Sequence, residues 1–134
     1  MNDYYGRYVP IALKISPDLT LKHLDAISKS IIKNKIDGVI ATNTTVNRDS
    51  VNDLFNGKEA GGMSGKPLFN LSNSIIRELY SRLQGEVPII GVGGIFSGED
   101  AAEKINAGAE LVQIYSGLVY QGRKLILDAC HSIG

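Results

Sequence analysis

The sequence predicts an α/β protein built on a parallel sheet. Apolar strand-like runs alternate four times with helical stripes, and each run ends in small or polar residues. Alternation of this kind implies right-handed crossovers, in which each helix returns the chain to the same edge of the sheet. With 134 residues, 43% apolar and 21% charged, the chain can bury one modest core, and a single domain over residues 1–134 is the ceiling.

The opening residues, Met1-Asn2-Asp3-Tyr4-Tyr5-Gly6-Arg7, lack the apolar centre of a secretory signal, and no segment approaches the length a membrane span requires. Residues 9–16 form an apolar run broken only by Lys14, the pattern of a strand covered on both faces, and Pro17 ends it. Leu21, Leu24, Ile27 and Ile31 then stripe a helix reaching about Lys35, with Asp18 or Thr20 as its cap. Residues 37–43 read as the second strand. The polar connection that follows, residues 44–67, is long for an α/β turn and is expected to act as a binding loop or lid, the alternative being a surface insertion without function.

Leu71, Ile75, Leu79 and Leu83 mark the next helix, and residues 87–95 the third strand. Ser97 and Asp100 have capping-box spacing before an alanine-rich helix that Gly108 can close. Residues 111–117 form the fourth strand. Leu125, Ile126, Ala129, Cys130 and Ile133 stripe a last helix, with Cys130 expected in the core. Four units are half of those needed to close a (β/α)8 barrel, so the chain is either an open doubly wound sheet or half of such a barrel. A half-barrel exposes a strand at each edge and should pair with itself or with further residues.

Fourteen basic and fourteen acidic residues leave no net field toward nucleic acid or an acidic membrane, so any anion must be met locally. The single cysteine excludes an internal disulfide. His23 and His131 lie in helical patterns without partners at ligand spacing, which indicates neither a metal site nor an acid–base pair.

Local capture of a phosphate is the leading clue. The run Pro88-Ile89-Ile90-Gly91-Val92-Gly93-Gly94-Ile95 and the later Leu111-Val112-Gln113-Ile114-Tyr115-Ser116-Gly117 are strands ending in small residues, able to aim several backbone N–H groups at one phosphate. Phe96 occupies the last glycine position of a dinucleotide fingerprint. Ala60 and Pro67 likewise break a Walker A loop around Gly65-Lys66. Lys14, near a strand's carboxyl end, can face an anionic or electron-rich group or snorkel from an edge strand. Thr42-Asn43-Thr44-Thr45 suits a planar heterocycle carrying amides, or equally a strand-terminating turn. Tyr115 and Ser116 offer a ring and a hydroxyl at the last strand end.

Five motifs together resemble the carboxyl-terminal half of the quinone-dependent, class 2 dihydroorotate dehydrogenases. They are Pro10-Ile11-Ala12-Leu13-Lys14-Ile15-Ser16-Pro17-Asp18, Asp37-Gly38-Val39-Ile40-Ala41-Thr42-Asn43-Thr44-Thr45, Gly61-Gly62-Met63-Ser64-Gly65-Lys66-Pro67-Leu68, residues 88–95, and Val112-Gln113-Ile114-Tyr115-Ser116-Gly117. The resemblance runs from about residue 8 to 134. It implies the last four βα units of a TIM barrel, residues 1–134 forming the carboxyl-terminal half of an FMN-binding barrel. It also implies a flavoenzyme of pyrimidine (UMP) biosynthesis that oxidises dihydroorotate to orotate while FMN takes the hydride and a membrane quinone reoxidises it.

Carried over residue by residue, the resemblance puts flavin contacts at Lys14, Thr42, Gly65, Gly94, Tyr115 and Ser116, and orotate contacts at Asn43 and Thr44. Lys14 would stabilise negative charge on the reduced ring, and N–H groups near Gly94 and Ser116 would hold the phosphate. In the family, the serine base for the substrate's C5 proton, the first barrel half and the helices that meet membrane and quinone all precede this region. No catalytic base is therefore expected here, Ser64 and Ser116 included, and the chain alone is expected to be catalytically silent and to bind FMN weakly. The full-length family member is expected peripherally on the cytoplasmic side of the cell membrane, the chain itself soluble, free of nucleic acid and prone to self-association. Two other readings compete: a phosphate-binding lyase or isomerase half-barrel without flavin, and a non-enzymatic half-barrel.

Overall fold

The computed structural model describes residues 6–134; residues 1–5, the start of the opening segment discussed above, lie outside the described residues. The elements run β1 (Ala12–Ile15), α1 (Leu21–Lys33), β2 (Gly38–Ala41), a 3-10 turn (Lys66–Leu68), α2 (Phe69–Leu83), β3 (Ile89–Val92), α3 (Gly98–Asn106), β4 (Leu111–Gln113), α4 (Ser116–Gln121) and α5 (Lys124–Ile133). All strand pairs are parallel and the spatial order is β1-β2-β3-β4. Sequential order decides between the two architectures. A doubly wound sheet reverses direction at a switch point, whereas here the strands advance one way in chain order, and crossovers of one hand then lay their helices on one face, as in half of a (β/α)8 barrel.

Register shows what each face carries. Ile15, Val39, Ala41 and Ile89 point to the helices and join Leu24, Ile31, Ile76, Leu79 and Leu83 in the main core. On the other face Lys14, Ile40 and Ile90 align with Leu111, and here Lys14 and Leu111 are exposed and the two isoleucines only half-buried. The expectation that residues 9–16 are covered on both faces is therefore wrong for this chain: Ala12, Leu13 and Lys14 are exposed. β1 is an edge strand, and no second layer covers its inner face among the described residues.

Caps set the helix limits. Thr20, rather than Asp18, is the N-cap of α1, its hydroxyl accepting from the His23 N–H at 3.3 Å while His23 Nδ1 accepts from the Thr20 N–H at 3.4 Å. Asp18 instead ties down the loop after β2, accepting from the Thr45 hydroxyl and from the Val46 N–H at 2.9 Å. Ser97 caps α3 as its spacing predicts, but the Asp100 carboxylate reaches one residue further back, to the Phe96 N–H at 2.8 Å. Gly108 closes α3: the Ala109 N–H bonds Lys104 O and the Gly108 N–H bonds Ile105 O, the paired bonds of a Schellman motif.

Two further expectations change. Tyr115, Ser116 and Gly117 do not extend the fourth strand; β4 stops at Gln113 and the chain turns into α4 at Ser116. Gly117 is what permits this turn, since a Cβ there would lie 2.0 Å from the Ile95 carbonyl oxygen. Cys130 is exposed rather than buried. Leu125 and Ala129 occupy the buried stripe of α5, and Cys130 falls one position around the helix from it.

Candidate functional site

The carboxyl ends of the four strands open into one cavity of about 210 Å³. From β1 comes Lys14, from the end of β2 Thr42, Asn43 and Thr44, from the β3 end Val92, Gly93 and Gly94, and from the β4 end Gln113, Tyr115 and Ser116. Strand polarity brings them together, because in a parallel sheet every carboxyl end lies on the same rim. All eight residues singled out from the sequence, Lys14, Thr42, Asn43, Thr44, Gly65, Gly94, Tyr115 and Ser116, line this cavity.

A further wall is the long connection after β2. It folds back on itself through paired backbone bonds between Thr45 and Met63, at 3.1 and 2.8 Å, and the Arg48 guanidinium bonds the Glu59 carbonyl at 3.1 Å and the Gly61 carbonyl. The return stroke sets Ser64 and Gly65 against the β4 end, where the Ser64 and Ser116 hydroxyls lie 2.9 Å apart. Gly65 takes a positive φ of 81° there.

Gly94 is needed for close approach. A Cβ at this position would lie 2.5–2.7 Å from the Cβ, Cα and N of Phe69, so the β3 turn and the start of α2 touch backbone to backbone. The β2 and β3 ends are also stitched together, the Thr42 N–H bonding the Val92 carbonyl at 2.9 Å.

Electrostatically the cavity is one-sided. Lys14 is the only charged side chain among those lining it. Thr42, one of the lining residues, is 2% exposed, and its hydroxyl has no hydrogen-bond partner among the described residues. A bound molecule with negative charge and a hydrogen-bonding edge answers both.

Gln113, Leu68 and Ser64 belong to the lining and were missed from the sequence. Gln113 carried the same signal as Lys14, a polar side chain inside an apolar strand. Leu68 and Ser64 lie in the same motif as Gly65, but only the fold-back of the long loop places them at the cavity.

The dihydroorotate dehydrogenase family model matches residues 5–134. The dihydroorotate dehydrogenase (quinone) of Shewanella sediminis is 58% identical over 124 residues, covering 92% of this chain and 37% of that protein. That of Shewanella oneidensis is 59% identical over 126 residues, or 94% of this chain and again 37% of the relative. Among solved structures, the dihydroorotate dehydrogenase of Eimeria tenella in complex with ferulenol superposes with a TM-score of 0.88 at 34% identity, over 96% of this chain and 34% of that one. The chain thus spans little more than a third of the length of these relatives.

Proposed function

Because the chain belongs to the dihydroorotate dehydrogenase family, we propose that residues 1–134 form the carboxyl-terminal barrel half of a quinone-dependent member, and supply most of its FMN site and part of its orotate site. The observation that carries this reading is the convergence of all eight residues on one cavity whose single charge is the Lys14 ammonium. The buried, unpartnered Thr42 hydroxyl supports it further, because a flavin edge offers the hydrogen bond this group lacks.

In the complete enzyme, FMN held by these residues would supply the hydride-accepting chemistry for oxidation of dihydroorotate to orotate with a quinone as final acceptor. This chain's residues prepare the site for that exchange. Lys14 places a positive charge beside the ring, favouring its electron-rich reduced form. Thr42, Gly65 and Tyr115, which line the cavity, would contact the flavin. Backbone N–H groups near Gly94 and Ser116 hold the phosphate, where glycine lets the main chain approach closely. Asn43 and Thr44 hydrogen-bond the orotate carboxylate and amide edge with neutral groups. The base that takes the C5 proton comes from outside this chain. Ser64 and Ser116 are committed to each other and are not assigned that role.

Quinone contact and peripheral attachment to the cytoplasmic face of the membrane belong to the complete protein in this reading. Among the described residues no helix is long and apolar enough to cross a membrane. The exposed edges at β1 and β4 would favour self-association of the chain when alone.

Flavin binding by the purified chain tests the proposal. FMN should raise its melting temperature and Lys14→Ala should reduce that rise, while a dye-reduction assay with dihydroorotate should show no turnover. Absence of any FMN-dependent rise would remove the flavin assignment, and turnover by the chain alone would remove the assignment of the base to another segment.

A further inference from the structure

Lys104 is the largest wholly buried side chain, with 0% relative exposure, and nothing in the proposed function uses it. An ammonium is rarely left dry without a carboxylate. Here none lies within ion-pair distance among the described residues. Its partners are the Ser72 hydroxyl, which accepts from Lys104 Nζ at 2.9 Å, and the face of Phe69, whose centroid lies 4.8 Å away.

Those two partners lead to the cavity. The Ser72 hydroxyl in turn donates a hydrogen bond to the Val92 carbonyl at 2.6 Å, the last of β3, and Phe69 is the residue against which Gly94 is pressed. The lysine stem runs under β3: a Cβ at Gly91 would lie 3.2 Å from Lys104 Cβ, and one at Gly93 would lie 3.3 Å from Ser72 Cβ. Gly91 and Gly93 therefore keep open the groove that leads the charge toward the strand end.

Resting on the FMN reading of the site, we propose that Lys104 is a positioning residue for its anionic end. Through Ser72 it fixes the Val92 carbonyl and the Gly93–Gly94 turn, and it sets a positive charge behind the turn that receives the phosphate. A phosphate in front of the turn and an ammonium behind it stabilise each other across a dry layer of backbone, where charge interactions are weakly screened.

The Lys104 pKa is lowered from its ordinary range to about 7, chiefly by desolvation, with Asp100 and Glu103 on its own helix opposing the shift and Arg77 on α2 adding to it. On α5, packed against α3, the Lys124–Asp128 pair sits by the first turn of α3. The charge is thus available for exchange near neutral pH. If bound phosphate raises that pKa by about one unit, linkage requires FMN to bind about tenfold more tightly below this range than above it.

The test is equilibrium binding of FMN and of riboflavin to the full chain between about pH 6 and 9, read by flavin fluorescence, for the wild type and Lys104→Met. A parallel NMR titration of the Lys104 side-chain nitrogen with and without FMN needs no variant. The proposal expects the wild type to lose about tenfold in FMN affinity across the range relative to Lys104→Met, riboflavin to show no such difference, and the lysine midpoint to rise on FMN addition. FMN binding that Lys104→Met shares in strength and pH profile, or a midpoint that FMN leaves unmoved, overturns this inference and leaves the flavin reading intact. No FMN binding by the wild type at any pH overturns both.

Discussion

Replacing Lys104 by methionine keeps most of the unbranched side chain and removes its charge, which isolates a single titration from the stability of the fold. The sign follows from the two states. In the folded chain desolvation holds Lys104 at about 7, whereas in the unfolded chain it titrates near the ordinary lysine value of about 10.4. Between those values the unfolded state binds one proton more than the folded state, so stability rises with pH through that window and is flat below it. From about pH 6.5 to 8.5, with about 1.4 kcal/mol per unit of difference, the wild type should gain about 2 kcal/mol relative to Lys104→Met. For a chain of this size that is roughly 6–10 °C in the difference between melting temperatures. Urea unfolding of both proteins at three pH values across the window measures it, and subtracting the variant removes the histidines and surface groups common to both. Stability curves that stay parallel would show that Lys104 is not a desolvated ammonium in the folded chain.

Other predictions follow from the geometry. Gly94→Ala forces a Cβ to within 2.7 Å of Phe69 backbone at a φ of 76°, so unfolding by urea should show a loss of more than about 2 kcal/mol. Thr20→Ala removes the hydroxyl that accepts from the His23 N–H and should cost about 1 kcal/mol by the same measurement, with the cavity unaffected. Leu111, 62% exposed on edge strand β4, and Leu13 on β1 leave both edges apolar and unpaired, so sedimentation velocity should show mass rising with concentration. A monomer at every concentration would show that the edges are protected.

Much of the fold and the rim of the site could be read along the chain. Alternating stripes gave four βα units in order, and the glycines and polar residues at the strand ends marked the rim, because a parallel sheet forces all carboxyl ends to one side. Lys14 stood out for the same reason, a charge inside an apolar run. What needed three dimensions was every relation between distant segments. Whether the sheet is singly or doubly wound depends on spatial strand order, and the exposure of β1 depends on the layer facing it. The fold-back of the loop after β2, which places Ser64 beside Ser116, rests on backbone bonds between residues eighteen apart in the chain, Thr45 and Met63. Cys130 looked like part of the stripe of α5 and lies just off it. Nothing along the chain singles out Lys104 on α3, and only the groove left by Gly91, with Ser72 and Phe69 supplied by another helix, makes its burial feasible. Local periodicity dictates elements and polarity, whereas burial of a charge is a property of its neighbours, and those are chosen by the tertiary packing.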